Sequence, residues 1–576
     1  MSSIYDMILK LRKIDAYDRI AAIIIIFATS MRILLDALGW PPTNSDEGVM
    51  AIMAMNIAYR GAAPLMFYGQ DYMGTIEAYL GAGFFHLFGD PSLFALRLGV
   101  ILLVTLFFIC MYLLARLLFS KPLAIVTLLI LSVGSIPMLT RQMIATGGSS
   151  QTLFFGSLAF LAATWLSSTY KRHTSLGMKL RRLVGYAAWG LAVGLGIWSD
   201  MVVLPFLVMA GLLLLLFCWR ELLVWGWLIL LSCVITGMLP LISYDLGRGL
   251  NSWQILLNLA HGSNAVAPQT LPGILHNITS TVLVSIPTAT GNPFCPIIEL
   301  RFLGDNAPHS VQCTLIHASW GGGYLLLLAC ALGVTSYTLW QLKFRSKKPG
   351  SVDQRQILVR YIARLLLLGS AVLAICVYTL SSAPVDQPGF HARYLVSLLI
   401  ATPALIFPLW NAAIKLRHVH AFERIKAYTC RVILILVYLL FLIGTMIGFS
   451  EVSAARAADQ QRQDLIHNLV RIGATRFYTE YWTCYNLIFA SHEQVICAIL
   501  KSDLQPTNNR VPSYFDMVKA DSHAAYVFPL DSNLLPTNYQ DLPAIERKVA
   551  QAGPGKYRRY EFDGYVVYQP RTTKLP

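Results

Sequence analysis

Residues Ile20 to Leu38 read IAAIIIIFATSMRILLDAL, an apolar run of about 19 residues. It is long enough to cross a bilayer as a helix, and further runs follow it. They cover roughly 92–115, 122–140, 150–168, 184–199, 202–218, 222–243, 322–342, 358–380, 394–412 and 431–449. No other feature constrains the fold so strongly. In hydrocarbon every backbone polar group must be satisfied inside the protein, so these runs are predicted as helices. The expected fold class is an α-helical polytopic membrane protein with about eleven spans. Composition agrees, with 56% hydrophobic and only 13% charged residues in 576. The first run exceeds the usual signal-peptide core of about 7 to 15 residues, and no small-x-small cleavage site precedes Pro41-Pro42, so we read it as a retained helix.

Basic residues set the expected orientation. Lys10, Arg12, Lys13 and Arg19 precede the first span and hold the N-terminus in the cytoplasm. The densest basic loops are Lys171-Arg172 through Arg181-Arg182, Lys343 through Lys348 and Lys415 through Arg431. With eleven spans all three fall on the cytoplasmic side, together with Arg116, Lys121 and Arg220. The formal charge of +15 is thus a matter of topology, and nucleic acid is not an expected partner. The expected location is the plasma (cytoplasmic) membrane, multi-pass, in contact with its lipids.

Three segments then lie outside: about 39–91, about 245–320 and everything after Phe449. We expect two domains, a membrane catalytic domain over 1–450 and an extracytoplasmic soluble domain over 451–576. The tail is large enough for its own core. Residues 475–479, 494–498, 525–528 and 564–568 read as strands and Cys484 to Ser491 as a short helix, which predicts a small α/β domain. Of ten cysteines, Cys295, Cys313, Cys484 and Cys497 fall outside, two in each segment. That suits one disulfide apiece; a metal site is the rival, without CxxC or HxxxH spacing to support it.

The acidic pair Asp46-Glu47 emerges at the membrane surface just after the first span. A carboxylate there can act as a general base. Equally, Ser45 or Asp46 can simply cap the following helix, with Glu47 favouring its positive end. Next comes Tyr68-Gly69-Gln70-Asp71-Tyr72-Met73-Gly74-Thr75-Ile76-Glu77, then Phe88-Gly89-Asp90 and Ala95-Leu96-Arg97-Leu98. No P-loop, GxSxG, HExxH or dinucleotide fingerprint is present.

In these features the chain resembles the GT-C glycosyltransferases, in particular the protein O-mannosyltransferase and aminoarabinose-transferase group. Members have an acidic pair in the first outside loop, a juxtamembrane helix, an LFG turn and an Arg opening the second span. The resemblance covers about 15–245 and returns at His391-Ala392-Arg393-Tyr394-Leu395. It implies a polyprenyl-phosphate sugar donor, with a glycan, lipid or protein as acceptor. It also implies that Asp46 is the base, with Glu47 beside it in a catalytic role. Where many relatives have Lys-Pro-Pro, this chain has Gln70-Asp71-Tyr72-Met73-Gly74. The missing Lys and the extra carboxylate leave room for a divalent cation.

A donor phosphate needs cations. The outside-facing candidates are Arg393 first, then Arg60 and Arg141, while Arg97 is expected to pair with a buried acid or a helix end. Tyr68, Asp71, Tyr72 and Glu77 are expected to line the substrate. Asp200, Tyr244-Asp245, His86 and His391 are weaker candidates, each better read as a cap or a span end. Two other functions compete: a lipid-linked oligosaccharide flippase, which would need ionisable groups at mid-membrane depth, and a non-catalytic scaffold.

Overall fold

A computed structural model describes residues 15–171, 175–249, 252, 254, 270–291, 295–299, 304–345, 352–414, 421–501, 503–507, 509–530, 542–553 and 555–571. Lys10, Arg12, Lys13, Arg172 and residues 346–348 and 415–420 of the basic loops lie outside the described residues.

Among the described residues, eight helical runs are long and apolar enough to cross a membrane. The protein is a multi-pass membrane protein. One run, Met201–Arg248, is two passes. Arg182 near the start of the Leu176–Ser199 helix pairs with Glu221 at the end of Leu204–Glu221, so those two helices are antiparallel. Gly190 instead lies against Leu230 and Cys233, and Gly194 against Val234 and Gly237, so Trp227–Arg248 runs parallel to the same helix. The chain therefore reverses at the π-helical turn Leu222–Gly226. In Glu423–Arg471 the apolar part is Ala421–Ser450; Val452–Arg471 is a polar, amphipathic helix. Leu176–Ser199 packs against both passes, and Lys121–Ser132 continues into Ile136–Arg141, so each of the eleven apolar runs read from the sequence is helical.

The stretch 245–320 is less loop-like than its Asn, Pro and Gly content suggests. Leu271–Ser280, a π-helical turn over Thr281–Ser285 and Ile286–Thr290 form a helix that packs into the bundle. Its polar residues point at partners inside the protein: Asn277 donates to the carbonyl of Thr379 at 2.9 Å. A Cβ on Gly321 would lie 2.0 Å from the carbonyl oxygen of Val282, so only glycine permits this approach.

The C-terminal region is α/β. Its strands are β1 (Arg476–Thr479), β2 (Ile496–Ile499), β3 (Ala525–Pro529), β4 (Tyr557–Phe562) and β5 (Tyr565–Pro570), in the order β2-β1-β3-β5-β4. β1 is parallel to β2 and β3, and β5 is antiparallel to β3 and β4. β2 and β3 are buried throughout, as strands covered on both faces must be. Edge strand β4 carries exposed Arg558, Arg559 and Glu561, so no apolar alternation marked it in the sequence. Disulfides join Cys484 to Cys497 and Cys295 to Cys313, each with Cα atoms 5.7 Å apart.

Candidate active site

The Ser45–Arg60 helix begins at the head of the site. Its cap is Asn44, whose Oδ1 accepts from the amide of Glu47 at 2.9 Å. Neither Ser45 nor Asp46 caps, which corrects the capping alternative. Ser45 Oγ accepts instead from the amide of Tyr485 at 3.0 Å. Neighbours on an α-helix point about 100° apart, so Asp46 and Glu47 enter different surroundings.

Glu47 is fully buried and committed. It accepts from Nε and Nη2 of Arg97 at 2.8 and 2.6 Å, and from the amide of Ala145 at 3.0 Å. Arg97 also reaches Asp36 at 3.4 Å. Glu47 thus ties the helix to the Leu93–Leu118 span through Arg97.

Asp46 is also buried, but its partners are of another kind. Tyr481, at the start of the Tyr481–Ala490 helix, donates its hydroxyl to Asp46 Oδ1. Burial, then the Asp46 charge, push the Tyr481 phenol well above its usual range, so it stays a donor. Arg510 donates from Nε to the Tyr481 hydroxyl at 3.3 Å and from Nη1 to the carbonyl of Gly69 at 2.6 Å. Burial opposes its charge, but Tyr481 and Asp46 more than offset this and raise its pKa. Two glycines permit the docking. A Cβ on Gly48 would stand 2.5 Å from the carbonyl carbon of Tyr485, and one on Gly69, at φ +69°, 2.8 Å from Arg510 Cδ.

Arg393 faces the same carboxylate and is electrostatically coupled to Asp46 and Tyr72. Its guanidinium lies over Phe390 at 4.4 Å and Tyr394 at 5.2 Å, and donates to the Tyr394 hydroxyl at 3.3 Å. Its buried Nε has no partner, and among the described residues no carboxylate pairs with it. Arg141, 3% exposed, donates to the carbonyls of Thr288 at 3.4 Å and Gly389 at 3.0 Å, and its charge is repelled by Arg393. Tyr72 feels both Arg393 and Arg510, and burial raises its pKa. The fold thus gathers Asp46, Arg393, Arg141 and Tyr72 from the sequence candidates.

The others stand elsewhere. Arg60 is half exposed and ion-paired with Glu493, whose carboxyl it holds below the usual range. Tyr68 accepts from Asn56 at 3.4 Å. Asp71 accepts from the Tyr244 hydroxyl, with Arg248 at 3.9 Å, at a partly exposed edge. Glu77 is buried against the amide of Gly147 and the hydroxyl of Ser150, both at 2.8 Å; burial pushes its carboxyl up to about 7. Asp200 caps the turn that starts at Met201, accepting from the amide of Val202 at 3.0 Å, and is the exception in this group, because it is electrostatically coupled to Arg393 and Tyr72 and so borders the cluster. Among the described residues no three His, Cys, Asp or Glu side chains converge as a metal site. Tyr481 and Arg510 were not found from sequence. The only local signal was the Tyr481-Trp482 pair beside Cys484.

No protein-family model matches the chain, and no curated protein does. Among solved structures it is similar to ArnT from Cupriavidus metallidurans bound to undecaprenyl phosphate, at TM-score 0.53 and 13% identity, covering 96% of this chain and 98% of that one. The oligosaccharyltransferase of Archaeoglobus fulgidus gives TM-score 0.49 and 14% identity, over 98% of this chain and 76% of that one. At such identity the ArnT likeness fixes the fold alone, and that fold is GT-C.

Proposed function

We propose, from the GT-C fold as premise, that this protein is a membrane glycosyltransferase using a polyprenyl-phosphate sugar donor. The observation that carries the reading is Asp46, a buried carboxylate released from capping and facing Arg393, which has no carboxylate partner of its own. The undecaprenyl phosphate held by the similar ArnT supports a lipid-phosphate donor.

In the reaction, Asp46 takes the proton of the acceptor hydroxyl. The acceptor oxygen bonds to the anomeric carbon as the bond from that carbon to the phosphate oxygen breaks, its electron pair leaving with the phosphate. Arg393 and Arg141 stabilise the charge that grows there, and charge-assisted hydrogen bonds are the strong ones. A single displacement inverts the anomeric centre. Tyr481 and Arg510 hold Asp46 in position. The region after Phe449 serves as the cover of the site, on the extracytoplasmic face of the plasma membrane, with the N-terminus in the cytoplasm.

Two measurements test this. Purified protein given a radiolabelled polyprenyl-phosphate sugar and an extract of cell-envelope glycans should release free polyprenyl phosphate and label an acceptor; no turnover with any such donor overturns the reading. A reporter fused after Phe449 should be active only outside the cytoplasm; a cytoplasmic signal overturns the orientation.

A further inference from the structure

The backbone holds Asp200 at the border of the arginine cluster. Met73, in the first outside loop, pairs with Asp200 as an antiparallel bridge, and the amide of Gly74 donates to the carbonyl of Ser199 at 3.1 Å. The Trp198 indole adds a bond to the carbonyl of Leu65 at 2.8 Å. This pairing sets Asp200 close to Tyr72, the residue before Met73, and both are coupled to Arg393. The cluster therefore has a second carboxylate, carried by a different element from Asp46.

Only half of that carboxylate is used by the fold. Oδ1 accepts from the amide of Val202 at 3.0 Å. Oδ2 accepts no hydrogen bond among the described residues, and it belongs to a partly exposed residue and is not sealed from solvent. It lies over Gly148, where a Cβ would stand 2.2 Å away. The oxygen has its place because that residue is glycine, at φ +86°, and Gly147 beside it is pinned by Glu77 at 2.8 Å.

Arg393 attracts both Asp200 and Asp46, yet among the described residues it forms an ion pair with neither. Opposite charges held near each other but apart leave room for a molecule with two complementary ends. One end is an anion for Arg393, and the other carries hydrogen-bond donors for Asp200. A sugar joined to a phosphate is such a molecule.

We propose that Asp200 selects the sugar of the donor, its Oδ2 accepting from a hydroxyl or ammonium group of a neutral or amino sugar and repelling an acidic one. The assignment rests on the glycosyltransferase reading. A carboxylate is a stronger acceptor than a neutral oxygen, and it disfavours a second carboxylate beside it. Asp46 then handles the acceptor proton, Arg393 the phosphate and Asp200 the ring between them.

Asp200→Asn tests this, because it keeps the size of the side chain and an oxygen for Val202 while removing the charge. Calorimetry on the purified full chain in detergent measures binding of neryl phosphate carrying glucose, glucosamine or glucuronate, and of undecaprenyl phosphate without a sugar. The parent should bind the glucose or glucosamine conjugate at least about tenfold more tightly than the glucuronate conjugate, and the variant should lose most of that preference. Undecaprenyl phosphate should bind the variant as well as the parent or better, since a nearby negative charge is gone. Arg393→Ala should weaken all four probes. An unchanged sugar preference in the variant overturns the proposal, and so does tighter binding of the glucuronate conjugate by the parent. Transfer lost with the preference intact would make Asp200 a base and overturns it equally. Failure of undecaprenyl phosphate to bind the parent would instead overturn the glycosyltransferase reading on which the proposal rests.

Discussion

The hydroxyl of Tyr481 donates its hydrogen bond to Oδ1 of Asp46, a residue 435 positions earlier in the chain. A carboxylate in the first turn of the Ser45–Arg60 helix is thus oriented by a side chain from the C-terminal region.

Tyr481→Phe should keep the ring packed and remove only that donor. A hydrogen bond to a charged group contributes about 1.5 to 3 kcal/mol, so kcat should fall about ten- to hundred-fold with donor KM little changed. Steady-state kinetics with a polyprenyl-phosphate sugar check this; an unchanged kcat removes Tyr481 from the positioning role.

Asp46→Asn should reduce transfer about a hundred- to ten-thousand-fold, the span of general-base catalysis. The helix keeps its cap, because Asn44 supplies it. Expression and melting temperature should therefore stay near those of the parent. Full activity in the variant would remove Asp46 as the base.

Arg393→Ala should weaken binding of undecaprenyl phosphate about ten- to hundred-fold through loss of a charge-assisted contact. Arg60→Ala should not, because that side chain is half exposed and spent on Glu493. Its cost is that of a surface ion pair, about 0 to 1 kcal/mol of stability. Equal loss of binding in both variants would contradict the assignment.

Reduction of Cys484–Cys497 should destabilise the C-terminal region and lower activity together. The bond spans 13 positions, and closing a loop of that size contributes roughly 3 kcal/mol. It ties β2 to the helix that carries Tyr481 and Tyr485. Thermal melts and transfer assays with and without dithiothreitol read both effects; intact activity after proven reduction would uncouple them.

Glu77 gives a pH dependence of defined sign. Burial raises its folded-state pKa from 4.5 to about 7. Below pH 4.5 both folded and unfolded states hold the proton and the contribution is complete; as pH rises toward 7 the unfolded chain ionises first and stability is lost. Melting temperatures taken as pH rises from 4.5 to about 7 should fall less steeply in Glu77→Gln, which keeps an acceptor for Gly147 and Ser150, than in the parent. Parallel curves would show that Glu77 keeps its proton equilibrium on folding.

Whatever depends on local pattern was legible in the sequence. The spans follow from apolar length, because a bilayer accepts only backbone that satisfies itself. The fold back at Leu222–Gly226 was readable as two runs, 202–218 and 222–243, although the helical structure there is continuous. β1, β2, β3 and β5 were readable from β-branched and aromatic runs, whereas β4 was not, its charged face being that of an edge strand. The turn Asp563-Gly564 that joins β4 to β5, with both residues at positive φ, was the one available hint. The Leu271–Thr290 helix was hidden because its polar groups meet partners from distant helices rather than water. Asp46 was legible as a candidate, since a carboxylate at a membrane face is costly to keep. Its separation from Glu47 was not, nor were Arg510, Tyr481 and the loss of Arg60 to Glu493. Those are decided by which side chains meet across hundreds of residues. Pattern fixes which segments are buried; only packing fixes which charge each buried group faces.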